Sequence, residues 1–198
     1  MSTATPRPEL RVRPVAAHEH AGVGQLVLAA YDAVGVISGP YRDELADTAG
    51  RVAAGSLVLA ATLDGALAGT VTVVAADGPH FEHGPHGDGG MRMLAVDPAT
   101  QGHGVGAALV DAALEHALDA GWRRLVLTSM TWMHTAHRLY QRQGFVRRPD
   151  LDLRFDPGVG LVFQRDLVTD AAVAFPAPGP VPASPPAFVP RPSAPPAC

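Results

Sequence analysis

The chain contains no lysine; all 15 of its basic residues are arginine. No side-chain amine is therefore available as a catalytic base or Schiff-base former. The phosphate loop that ends in Gly-Lys is excluded on the same ground. Cysteine is nearly absent too. Cys198 is the one cysteine and the final residue, so the sequence has no internal disulfide and no thiolate-rich metal site. A prenylation signal needs its cysteine four residues from the end, and this one does not comply. No run reaches 18 consecutive apolar residues, so no membrane-spanning helix is expected. Positive charge is in deficit: the formal net charge is −4. Arg191 is the only charged residue beyond Asp170, which leaves the rest more acidic still. A binder of phosphate backbones needs a basic stripe, so nucleic acid is not an expected partner. Residues 1–8 are polar and lack the apolar core of a secretory signal, and the expected location is cytoplasmic. Arginine-only basicity in an alanine-rich chain fits a GC-rich bacterial coding bias.

What is present is an ordinary apolar fraction, 47%, enough for a packed core. Composition shifts sharply near residue 170. Ten of the 19 prolines lie between Ala171 and Cys198. The expected division is a flexible N-terminus at 1–8, one folded domain at 9–168, and a Pro/Ala-rich disordered tail at 169–198.

Within the domain, apolar periodicity predicts a strand over 9–15 and a helix over 16–34, broken at 35–40. A second helix is predicted over 41–54, with Asp43, Glu44 and Asp47 on a solvated face. Strands over 56–62 and 69–75 flank Asp64-Gly65, a hairpin signal. Residues 77–90 read as a loop of Gly, Pro, His and acids. Its His80, His83 and His86 lie near Glu82 and Asp88, but the Gly/Pro-rich setting reads as a polar surface loop, and no metal site is assigned. A short strand follows over 91–96, apolar except for Arg92. The strongest helix signal covers 104–120: Val105, Leu109, Val110, Ala113, Leu114, Ala117 and Leu118 form one stripe, and Gly121 closes it. A strand over 125–128, a helix over 135–143 ended by Gly144, and strands over 145–146 and 160–167 complete the pattern. Strands and helices are mixed, so the fold class is α/β or α+β around one central sheet.

The chemically informative stretch runs from Met91 to Gly106. A strand leads into Asp97-Pro98, and Gln101-Gly102-His103-Gly104-Val105-Gly106 then opens the long helix. A helix start exposes backbone N–H groups and the positive end of the dipole, which together suit an anion. Gly102-x-Gly104-x-x-Ala107 fits the dinucleotide fingerprint in spacing. Yet five residues, including a proline, separate the strand from the first glycine, and the next strand ends without the acid that fingerprint needs.

Gln101-x-x-Gly104-x-Gly106, after a strand ending Leu94-Ala95-Val96-Asp97-Pro98, resembles the acetyl-CoA motif of the GCN5-related N-acetyltransferase (GNAT) superfamily. Ala136-x-x-Leu139-Tyr140-x-x-x-Gly144-Phe145 resembles a second signature of that family, in the right order and at the right separation. The resemblance covers residues 9–168. It implies a mixed, mostly antiparallel central sheet flanked by helices. It also implies acetyl-CoA as co-substrate, and acetyl transfer to a primary amine of a small molecule.

By the same resemblance, the backbone of Leu94, Ala95 and Val96 would bind the pantetheine arm. The amides of Gln101, Gly102, His103, Gly104, Val105, Gly106 and Ala107 would hold the pyrophosphate, with the His103 side chain solvent-exposed. Tyr140 would be the general acid for the departing thiolate. The sequence departs from the family where a glutamate base often stands, since Gly89-Gly90 occupies the approach. It departs again at Met133, where asparagine is common. Asp88 is the nearest upstream acid and a weak base candidate; Glu82, His134 and a water chain stay open. The acidic helix around Glu44 lies where the family often binds acceptors and would suit a cationic one. The expected partner is a small-molecule amine, with neither nucleic acid nor membrane; a homodimer stays open. The alternative function is a non-catalytic acyl-CoA-binding sensor.

Overall fold

The computed structural model describes residues 8–34, 39–81, 89–155 and 158–167. The expected flexible stretch at 1–7, the acids Glu82 and Asp88, His83 and His86 of the histidine loop, and the tail at 169–198 lie outside the described residues.

The chain opens with β1 (Leu10–Pro14) and, after a short 3-10 turn, α1 (His20–Asp32). Two short helices follow, α2 (Pro40–Ala46) and α3 (Thr48–Ala53), then a hairpin of β2 (Leu57–Leu63) and β3 (Ala66–Ala75). β4 (Gly89–Val96) leads through a turn to α4 (Val105–Asp119), β5 (Arg124–Met130) and α5 (His134–Arg142). β6 (Val146–Arg147), β7 (Leu153–Phe155) and β8 (Gly158–Asp166) complete one sheet. Its order is β1-β2-β3-β4-β5-β8-β6, with β7 also paired to β8. Only the β4–β5 pair is parallel. This is the expected mixed, mostly antiparallel sheet flanked by helices. No described helix is long and apolar enough to cross a membrane.

The hairpin forms where Asp64-Gly65 placed it. Both residues take positive φ (50° and 82°), as the tight turn that matches strand twist requires. The helix expected over 41–54 is instead two. At Asp47 the backbone leaves the helical region (ψ 71°), and its carboxylate accepts from the Gly50 N–H at 2.7 Å. An aspartate that caps a new helix outcompetes continuation of the old one. The buried Arg51 then turns back, donating to the carbonyls of Glu44 (2.7 Å) and Leu45 (3.1 Å) and so satisfying the end of α2. β4 starts two residues earlier than expected, at Gly89.

Apolar side chains form a layer on each face of the sheet. One packs α4 residues such as Leu109, Val110 and Ala113 against Leu59, Val71, Val73, Leu125 and Phe163. The other packs Val23 and Val27 of α1 and Leu45 of α2 against Val58, Met93 and Ala95.

Two irregularities in β4 position the site. The β3–β4 register passes from Thr72↔Arg92 to Thr70↔Ala95, so Met93 and Leu94 oppose Val71 alone. This is a β-bulge, and Met93 sits in it at φ 52°. Met93 packs on the α1 layer and Leu94 on the α4 layer. Among the described residues, β4 pairs with β5 only through Gly89↔Leu125 and Gly90↔Val126. β5 meanwhile runs alongside β8 for all of its seven residues. Beyond Gly90 the two central strands part, and the sheet opens.

Candidate active site

The start of α4 is built from the turn that follows β4. The Asp97 carboxylate accepts from the Ala99 N–H at 2.8 Å, and the Thr100 hydroxyl donates to the Ala68 and Asp97 carbonyls (3.2 and 3.0 Å). The loop is thus pinned to the start of β3. Gly102 and Gly104 then take φ of 84° and 82°, a conformation costing other L-residues about 1–2 kcal/mol. A Cβ built on either meets nothing within 4 Å, so backbone conformation, not crowding, calls for glycine here. Gly104 is the N-cap and offers no side chain to the helix amides. The amides of Val105, Gly106 and Ala107 precede the first intrahelical bond, from Ala108 to the Gly104 carbonyl. Each amide-dipole contact at such an end is worth about 0.3–1 kcal/mol to an anion.

The other predicted cradle residues fall on the same turn. Gln101 and His103 are exposed. The His103 ring folds back on its own loop, with Nδ1 donating to the carbonyls of Thr100 (3.1 Å) and Gln101 (3.2 Å). Gly106 brings α4 against its neighbours: a Cβ there would lie 3.2 Å from Leu139 Cδ2 and 3.5 Å from Val96 Cγ2. The helix start therefore touches α5 beside Tyr140.

Where β4 and β5 part lies a small cavity of about 40 Å³. Arg92, Met93 and Leu94 line it from β4, and Thr128 and Ser129 from β5; Tyr31 closes it from α1, and Met133, Ala136 and Tyr140 from α5. Of the residues expected to hold the arm, Leu94 lines the cavity. Ala95 and Val96 pair with Thr70 and Gly69 of β3 and have no β5 partner among the described residues.

The buried Tyr140 ring packs against Phe145 and Phe163, with centroids 6.0 and 5.8 Å away. Burial pushes its phenol well above the ordinary tyrosine range. Tyr31 moves the same way, through burial first and then its neighbours Tyr41 and Tyr140; Arg92 opposes the shift. At the position where the family often has asparagine, Met133 Sδ accepts from the Ser129 hydroxyl at 3.7 Å. His134 is exposed, edge-on to His137 at 5.9 Å, and does not line the cavity.

Two residues of the site escaped the sequence reading. Tyr31 read simply as an inward position of α1. Arg92 read as an interruption, although a lone charge in an apolar strand is itself a signal, because burying it needs a partner. That partner is Glu44, whose Oε1 lies 3.1 Å from the Arg92 guanidinium; the His80 carbonyl accepts a second bond at 3.0 Å. The expected solvated face holds for Asp43 and Asp47, which are exposed, and is corrected for Glu44, which is half-buried against Arg92; Asp47 also caps α3.

Comparison with known proteins bears on the fold and the family. Among solved structures, a GNAT family acetyltransferase from Staphylococcus aureus Mu50 superposes with a TM-score of 0.65 at 13% identity, covering 81% of this chain and 100% of its own. A GNAT family acetyltransferase from Brucella melitensis, in complex with acetyl-CoA, gives 0.57 at 23% identity over 82% of this chain and 90% of its own. These likenesses are of fold. Among curated relatives, mycothiol acetyltransferase of Geodermatophilus obscurus is 38% identical over 69 residues, 35% of this chain and 22% of that protein. That of Cellulomonas flavigena is 34% identical over 101 residues, 50% of this chain and 29% of its own length. The matched segments span about a quarter of those relatives. The model of the acetyltransferase (GNAT) family matches residues 25–145, which takes in the α4 cradle, the strand opening and Tyr140, and the chain belongs to that family.

Proposed function

We propose that the protein is an acetyl-CoA-dependent N-acetyltransferase that acts by direct transfer on a primary amine of a small molecule, with Tyr140 as general acid. The carrying observation is the close approach of the α4 start to α5, the helix that carries Tyr140: a Cβ on Gly106 would lie 3.2 Å from Leu139 Cδ2, and Gln143 Nε2 donates to the Ala107 carbonyl at 3.4 Å. The cradle suits a pyrophosphate: two glycines at positive φ face open space, and the helix start carries no side-chain cap. The amides of residues 101–107 would hold that group, and the backbone of Leu94, Ala95 and Val96 the arm that follows. Bound there, acetyl-CoA supplies an acetyl thioester whose C–S bond breaks as the N–C bond of the product forms.

The chain's own groups handle the protons. Tyr140 Oη carries a proton that burial keeps in place at neutral pH. A thiolate forming in the same dry surroundings also becomes more basic, and the phenol assists the departing sulfur in the transition state rather than driving the step downhill. An alkyl ammonium near pKa 10.4 costs about 4–5 kcal/mol to deprotonate at pH 7. No described residue lining the cavity is a carboxylate or imidazole, so Asp88 is kept as the weak base candidate beside a water relay. That same observation favours the second reading, an acyl-CoA-binding sensor without turnover.

Free-thiol release from acetyl-CoA across an amine panel separates the two: acceptor-dependent release supports the enzyme, and binding without release supports the sensor. With a working acceptor, Tyr140→Phe keeps the ring packing and lowers kcat about 100-fold or more, with the KM for acetyl-CoA nearly unchanged. A kcat within about twofold of wild type, with chemistry rate-limiting, refutes the acid role.

A further inference from the structure

Among the described residues, Arg92 is the one charged side chain lining the cavity; its companions there are apolar or neutral, Tyr31, Thr128, Ser129 and Tyr140 included. A guanidinium stays charged at every physiological pH. This one is held from two sides, by Glu44 of α2 at 3.1 Å and by the His80 carbonyl at 3.0 Å. It stands on the α1–α2 face, while the cradle belongs to α4 on the other face. The charge is therefore on the side left for the second substrate.

Paired with Glu44, the guanidinium brings little net charge of its own, but its fork fits a carboxylate through two parallel N–H···O bonds. Arg92 and Tyr140 line the same small cavity, so an anion held by the guanidinium lies close to an amine that reacts beside Tyr140. The acidic helix offers a cationic acceptor less than its composition suggests: Glu44 is paired with Arg92 and Asp47 caps α3, which leaves Asp43.

We propose that the acceptor is a primary amine whose adjacent carbon bears a carboxylate, an α-amino acid or a close analogue, and that Arg92 reads that carboxylate. The proposal rests on the amine-acetylation reading above. Glu44 holds the guanidinium in the absence of acceptor, and the substrate carboxylate competes with it for the same edge.

The test pairs α-amino acids with their carboxamides as acceptors. It also measures equilibrium binding of the N-acetyl amino acids and N-acetyl amino amides by calorimetry. Wild type favours the carboxylates by about tenfold or more in kcat/KM and in affinity. Arg92→Gln loses about tenfold or more on the carboxylates and brings the carboxylate-to-carboxamide ratio close to one. Glu44→Gln removes the competitor and tightens N-acetyl amino acid binding about threefold. Should Arg92→Gln fail to fold by circular dichroism, the wild-type preference and the Glu44→Gln gain decide. Carboxamides used and bound as well as carboxylates overturn the proposal while leaving N-acetylation intact. Arg92-dependent binding of N-acetyl amino acids with no transfer to any amine supports the carboxylate site and sinks the transferase reading.

Discussion

At the scale of the residue, a phenol kept from water holds its proton far up the pH scale. Tyr140 is 6% exposed, and burial raises its pKa above the ordinary value of 10.0. The sign follows directly: the acid form persists throughout the neutral and mildly alkaline range, while the acceptor amine loses its proton as pH rises. kcat/KM should therefore climb from about pH 6 and show no fall before about pH 10. Steady-state rates across that range check it, and a descending limb below about pH 9 assigns the acid to another group. Tyr140 was legible because its motif fixes both a helix and the glycine that ends it, and Gly144 does take φ 78° after α5. Arg92 was visible only as an anomaly, and its meaning depends on Glu44, 48 positions earlier. No local pattern encodes a pair so distant in sequence.

At the scale of the element, the break between α2 and α3 tests how far one side chain can redirect a helix. Asp47 supplies the cap for Gly50, and its own N–H donates to the Asp43 carbonyl to close α2. Asp47→Ala should lower stability by about 1 kcal/mol, read as a fall in the urea midpoint at unchanged m-value. A stability within about 0.3 kcal/mol of wild type would remove the cap as the cause of the break. The sequence pattern missed this split because an aspartate inside an amphipathic stretch looks the same whether it faces solvent or caps the next turn. α4 was read almost to the residue, since its long apolar stripe has an αL glycine at each end. β7 went unseen because three residues carry no usable periodicity. Gly89 and Gly90 read as loop, although β4 begins there. A Cβ on Gly89 would fall 2.0 Å from the Trp122 ring, so that glycine serves packing rather than turning.

At the scale of the whole molecule, the sheet is two halves joined by a short seam. β1 to β4 pair continuously on one side and β5 to β8 on the other, with only Gly89↔Leu125 and Gly90↔Val126 between them among the described residues. α4 bridges the seam, packing on Val71 and Val73 from one half and on Leu125 and Phe163 from the other. A ligand arm lying in the opening would supply the hydrogen bonds that the parted strands do not make with each other. Acetyl-CoA at about 100 times its Kd should then add about 2.7 kcal/mol and raise Tm by about 5–10 °C for a domain of this size. The distribution of the effect is the sharper readout. Amide hydrogen exchange should slow at the α4 cradle and also on both banks of the opening, at residues 94–96 of β4 and 128–130 of β5. Protection confined to residues 101–107 would mean that the arm lies elsewhere and that the opening is a consequence of the Met93 bulge alone. Protection on both banks would make the seam itself the binding element, with sheet continuity given up where the ligand backbone replaces it.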